Sequence, residues 1–175
     1  MRSRFLLLVG GVALSAAAPT ANAHQTAAPL HLATGIPTVH PAPDSARIEG
    51  VLSRADNATA AGRMNEARRL YRALIQEQHD ANRYAGTAIW RLAANHIYDG
   101  DIKGGAQLLD DLADEASRFG DPAMELRATF EAAVLWQKVK RPDLTARDLE
   151  RVRCLLQSPV LSADVKSAIE RRIVE

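Results

Sequence analysis

GRMNEARRLYRAL, residues 62 to 74, joins a glycine to an alanine five residues on, then to a tyrosine and a leucine at helical steps. Met64, Ala67, Leu70, Tyr71, Leu74 and Ile75 recur at steps of three and four, which lays one apolar stripe along a helix. Gly62 stands just ahead of that stripe, and glycine readily takes the left-handed conformation in which helices often end. The stretch therefore reads as the corner of a helical hairpin. Glycine turns the chain, alanine lets two helices come close, and the aromatic fills the space between them.

Working outward, residues 44 to 61 predict a first helix with Ile48, Val51, Leu52 and Ala55 on its inner stripe. Downstream, Ala85, Ala88, Ile89, Leu92, Ala93 and His96 mark a third helix that stops at Asp99-Gly100, with Asp101 able to cap the next. A fourth carries Ala106, Leu109, Leu112, Ala113 and Ala116 as far as Gly120. Asp121-Pro122, an acidic cap followed by proline at the first helical position, starts a fifth that reaches about Val139. Arg141-Pro142-Asp143 marks the next turn. A sixth helix is expected to bury Leu149, Val152 and Leu156, and a seventh Val165, Ala168, Ile169 and Ile173. The other face of the seventh, with Asp164, Lys166, Glu170 and Arg171, suits a solvated cap. No segment after residue 44 alternates polar and apolar residues for long, so no strand is expected.

Ala67, Ala106 and Ala146 fall 39 and 40 residues apart, each followed by apolar residues at helical steps. Near-constant spacing of this size marks an array of helical hairpins, in which each pair buries its face by stacking on the next. These residues resemble the tetratricopeptide repeat family. Ile89, Leu92, Ala93 and His96 occupy the places of that family's W-x-x-L-G-x-x-Y, Ala67 and Tyr71 those of its second-helix alanine and aromatic, and Gly100-Asp101 its inter-helix turn. The resemblance spans residues 44 to 157, with a spacing longer than the family's repeat of about 34. It implies an all-α, right-handed solenoid of about three antiparallel helix pairs plus a C-terminal capping helix. It also implies a protein-binding scaffold whose first helices line a concave face, placing Thr87, Trp90, Arg91, Leu135 and Lys138 near it. Trp and Arg are side chains that often dominate binding interfaces.

The N-terminal residues carry a different message. MRSR supplies a basic start, FLLLVGGVALSAAA a short apolar stretch, and PTANA ends with Ala21 and Ala23 at peptidase spacing. A cleavable signal over residues 1–23 is expected, with a periplasmic or secreted product that keeps no stable membrane insertion. Residues 24–43 hold four of the eight prolines and no Asp, Glu, Lys or Arg, as a linker would. His24, His31 and His40 within it have neither the spacing nor the companion ligands of a metal site. Residues 44–175 then form one helical repeat domain.

Loss of Arg2 and Arg4 with the signal takes the formal charge from +1 to −1. Mixed charge of this kind points away from nucleic acid. The one cysteine, Cys154, excludes an internal disulfide framework. Burial under the seventh helix as an inert thiol is its expected state, with a reactive thiol beside Arg147 and Arg151 as the alternative. The chain lacks G-x-x-x-x-G-K-[ST], G-x-S-x-G, H-E-x-x-H and C-x-x-C. His96 with Asp99 and Asp101 could be drawn as a base and its orienting carboxylate, yet His96 lies on an apolar stripe where packing is expected. Asp110, Asp111, Asp114 and Glu115 sit along one rigid helix, whereas calcium ligands usually converge from a loop, so a solvated face is expected. No catalytic, cofactor-binding or metal residue is assigned. The expected function is an exported protein-interaction module, taking a protein or peptide ligand or a second copy of itself. The alternatives are an oligomeric structural envelope protein and a hydrolase using His96.

Overall fold

The computed structural model describes residues 45 to 174, so the expected signal (1–23) and linker (24–43), with His24, His31 and His40, lie outside the described residues. Seven helices succeed one another: α1 (Ser45–Ala60), α2 (Met64–Asp80), α3 (Gly86–Tyr98), α4 (Ile102–Phe119), α5 (Pro122–Lys138), α6 (Pro142–Leu156) and α7 (Ala163–Val174). The fold is all-α, with no strand among the described residues. No helix of the described residues is long and apolar enough to cross a membrane.

Five corners share one geometry. Gly62, Asn82, Gly100, Gly120 and Lys140 all have positive φ, from 50° to 88°. At Gly62 its own amide donates to Thr59 O and the Arg63 amide to Ala58 O, at 2.9 and 2.8 Å. The pattern repeats at Lys140, whose amide reaches Gln137 O at 3.1 Å while that of Arg141 reaches Trp136 O at 2.9 Å. These reversed bonds satisfy carbonyls that a helix end leaves open. Helix starts obey the sequence too: Asp101 Oδ1 accepts from the Gly104 amide at 2.9 Å, and Asp121 Oδ1 from the Met124 amide at 3.0 Å.

Successive helices from α1 to α6 pack on one another, α1 also touches α3, and α7 packs on α5. Ala55, Ala58 and Ala67 are fully buried where α1 meets α2, and Tyr71 fills the adjoining space with its hydroxyl donating to Asp56. Gly105 brings α4 against α3, for a Cβ there would stand 2.5 Å from the Ile97 side chain. The interior divides into three clusters, and α3 and α5 each contribute to two of them. Ala88 and Leu92 of α3 join the first cluster, Ile89 and Ala93 the second; Ala132 and Trp136 of α5 join the second, Leu126 and Phe130 the third. Each buried leucine-sized side chain contributes about 1.5–3 kcal/mol.

The C-terminal helices correct several expectations. Leu135 is only 6 % exposed and belongs to the core between α3 and α5, so it cannot line a docking face. In α6 Val152 is buried and Leu156 partly so, but Leu149 is 40 % exposed and Ala146 is exposed, unlike Ala67 and Ala106. The reason is rotational: Asp148 turns inward with Val152, because Arg147 and Arg151 engage carboxylates of α4 and α5. In α7 Ile169 is buried while Ala168 and Ile173 are exposed. Cys154 is exposed rather than buried: α7 lays Val165 and Ile169 against Leu126 and Phe130 and leaves that flank of α6 open.

Candidate functional site

Between α2 and α4 lies an open cleft of about 970 Å³. Arg72, Ile75, Gln76 and His79 succeed one another at helical steps along α2 and form one wall. Leu108, Asp111, Glu115 and Arg118 do the same along α4, and Ile89 and Leu92 of α3 make the floor. Arg151 of α6 closes the far side. The walls are charged and the floor apolar, the usual division of a binding site into burial and orientation.

One polar link joins the two walls. His79 Nε2 lies 2.9 Å from Glu115 Oε2, and Glu115 Oε1 accepts the Ala85 amide at 2.7 Å. The buried Glu115 thus ties the end of α2 and the start of α3 to α4. Arg72 has no carboxylate partner among the described residues, so its charge is available to a ligand.

The next junction, between α4 and α6, is fastened instead. Arg147 donates from Nη2 to Asp110 Oδ2 at 2.6 Å and from Nε to Asp148 Oδ1 at 2.7 Å. One turn later Arg151 donates to Asp114 Oδ1 at 2.6 Å and twice to Glu125 Oε1, at 2.9 and 2.7 Å. The Trp136 indole N–H completes the set on Asp110 Oδ2 at 3.0 Å. Hydrogen bonding to Asp148 and Asp110 outweighs desolvation and holds the Arg147 guanidinium above its ordinary pKa. Asp148 moves upward, first through burial, with Asp110 adding to the shift and Arg147 opposing it. The acidic run of α4 is therefore half structural: Asp110 and Glu115 are buried, and only Asp111 and Asp114 form the expected exposed face. No cluster of three or more His, Cys, Asp or Glu suited to a metal gathers among the described residues.

Lateral contacts also stitch the odd helices together, and the residues expected at a concave face take part in them. Arg91 of α3 pairs with Asp56 of α1, and Arg127 of α5 lies over the Trp90 ring at 5.1 Å. Arg172 of α7 pairs with Glu131 of α5 and lies 4.7 Å from the Phe130 ring. Thr87 and Lys138 are exposed, and Leu135 is in the core. Trp90 and Arg91 thus meet other helices of the array, and the five residues do not form one patch.

His96 and Asp101 do come together, Nδ1 to Oδ2 at 2.7 Å, while Asp99 accepts from Arg68 Nη2 at 2.6 Å. The His96 hydrogen bond holds the Asp101 carboxyl below its ordinary range, with the Gly104 amide assisting. His96 Nε2 is buried without a hydrogen-bond partner, so the nitrogen a substrate would need faces the interior. The pair joins the end of α3 to the start of α4.

The bridging residues had a signal that sequence reasoning passed over. Asp110 and Asp114 on one helix, and Arg147 and Arg151 on another, each stand one turn apart, and the two sets are offset by 37 residues. No protein-family model, curated protein or solved structure matches this chain.

Proposed function

We propose that this chain is an exported, non-catalytic interaction module of tetratricopeptide-like architecture, holding a peptide segment of another envelope protein in the α2–α4 cleft. The observation that carries the reading is the cleft itself: about 970 Å³ of open space over Ile75, Ile89, Leu92 and Leu108, rimmed by charge. Its size is that of ordinary ligand sites, and its apolar floor offers the burial on which peptide recognition depends. The repeated hairpin corners and the successive core clusters, bridged by α3 and α5, support the repeat architecture. The N-terminal MRSRFLLLVGG…PTANA pattern supports export to the periplasm or beyond. Burial of His96 Nε2 weighs against the hydrolase alternative.

Affinity capture from an envelope extract, with full-length protein, tests the site. Leu108→Glu puts a charge on the cleft wall, and Leu149→Glu puts the same charge on an exposed flank of α6. The parent and Leu149→Glu are expected to retain one common partner that Leu108→Glu loses, with helical circular dichroism unchanged in all three. Retention by Leu108→Glu sinks the assignment. A second reading, a self-associating structural subunit, is favoured by exposure of Leu149 and Cys154 on α6. Light scattering that shows a dimer lost on Leu149→Glu, with no cleft-dependent partner, supports that reading instead.

A further inference from the structure

The α4–α6 junction contains an imbalance that the interaction reading does not use. Asp148 is 2 % exposed; its Oδ1 accepts from Arg147, and its Oδ2 is buried with no partner. Asp110, also buried, accepts from Trp136 and from the same Arg147. Two interior carboxyl groups therefore lean on one guanidinium. The other nearby cations are engaged elsewhere: Arg151 of α6 by Asp114 of α4 and Glu125 of α5, and Arg141 of the α5–α6 corner by Asp143. A buried carboxylate oxygen with no donor is costly, and two like charges sharing one site disfavour double ionisation.

We infer that Asp148 keeps a proton in the folded chain, and that this proton is a latch holding α6 to α4 that loosens as pH rises. Protonation turns the orphaned Asp148 Oδ2 from an acceptor without a donor into a donor, beside the Asp110 carboxyl that the same Arg147 holds. The junction then has one carboxylate, one carboxylic acid and one guanidinium, so charge and hydrogen bonds both balance. At higher pH the second carboxylate ionises against the first, and Arg147, already half-exposed, cannot neutralise both. Arg151, which lines the cleft, sits one turn further along α6, so loosening α6 also loosens one side of the cleft.

The direction comes from proton linkage. Burial and Asp110 raise Asp148 above its ordinary value, so between that value and the raised one the folded chain binds more protons than the unfolded chain. Stability from this group is complete below the ordinary aspartate range and is lost as pH rises through the folded midpoint.

Carboxyl ¹³C titration of the full-length protein by NMR, with urea unfolding and amide exchange over the same pH range, tests the latch. Asp148 is expected to titrate above exposed aspartates. Unfolding free energy should fall as pH passes that midpoint, and α6 amide protection, measured against intrinsic base-catalysed exchange, should fall with it. Asp148→Asn, which keeps a hydrogen-bond donor toward Asp110 at every pH, should remove this slope; Asp110→Asn should bring the Asp148 midpoint down. An Asp148 midpoint in or below the exposed range overturns the inference, as does the same slope in parent and Asp148→Asn. If neither variant folds, the parent titration alone decides.

Discussion

Two junctions of the same kind sit on either side of α4. Toward α6, Asp110 and Asp114 are each met by an arginine reaching across, and the Trp136 indole is pinned beneath. Toward α2, a single histidine–carboxylate link, His79 to Glu115, holds one end, and beyond it the walls stand apart over an apolar floor. The hairpins have the same corners on both sides. The side chains along the facing stripes differ: carboxylates and arginines one turn apart at the fastened junction, Arg72, Ile75 and Gln76 against Leu108 and Asp111 at the open one. The array thus opens a cleft by leaving out the lateral bridges at one junction, with no change in backbone plan.

The strongest way to break this contrast is to remove the anchor of the fastened side. Trp136 is 1 % exposed and its indole nitrogen supplies one of the donors to the buried Asp110. Trp136→Ala is expected to cost about 3–5 kcal/mol in urea unfolding, from the lost ring and the cavity left behind. Trp90, half-buried under Arg127, should cost clearly less on the same change. Equal losses would mean that the α4–α6 side is no more tightly built than the rest.

The sequence makes the first four helices almost fully legible, since Gly62, Gly100 and Gly120 stop three of them, while Asp101 and Asp121 cap α4 and α5. Legibility fails where charge overrides hydrophobic period. In α6 the apolar stripe through Leu149 suggests one inner face, but the guanidiniums of Arg147 and Arg151 find carboxylates across the junction and turn Asp148 inward in its place. Leu135 and Trp90 fail differently: a helix apolar on most sides does not say which neighbour covers which side, and Leu135 is covered by the array itself. The cleft is the least legible feature, being a product of which bridges are missing. Only the matched Asp110/Asp114 and Arg147/Arg151 pairs hint that one junction is fastened.

A smaller effect sharpens the contrast by making one change on both sides of the cleft. Arg151→Ala leaves Glu125, mostly buried, without its cation, and is expected to cost about 1–2 kcal/mol in urea unfolding. About a third of the Arg151 side chain is exposed and Asp114 is largely solvated, so screening keeps the loss toward the lower end and added salt should shrink it. Arg72→Ala, on the opposite wall with no carboxylate to abandon, should stay within about 0.5 kcal/mol of the parent. A comparable loss for Arg72→Ala would mean that the open junction is also held by charge.

The smallest expected effect concerns the corner that delivers α6 to the fastened junction. Gly62, Gly100 and Lys140 end the three odd helices that lead into even ones, and all three are left-handed, Lys140 at φ 58°. A side chain in that region costs about 1–2 kcal/mol through contact of Cβ with the backbone. Glycine avoids this cost but adds freedom to the unfolded chain. Both Lys140 corner hydrogen bonds are made by backbone amides, so Lys140→Gly leaves them in place. The net expectation is a gain of about 0.5–1 kcal/mol in urea unfolding. Gly62→Ala, at φ 75° with nothing within 4 Å of the added Cβ, should lose a similar amount, since there only the backbone term acts. A loss on Lys140→Gly would instead show that the lysine side chain itself helps hold the α5–α6 corner, and that the fastened junction begins one residue before Arg141, two before α6.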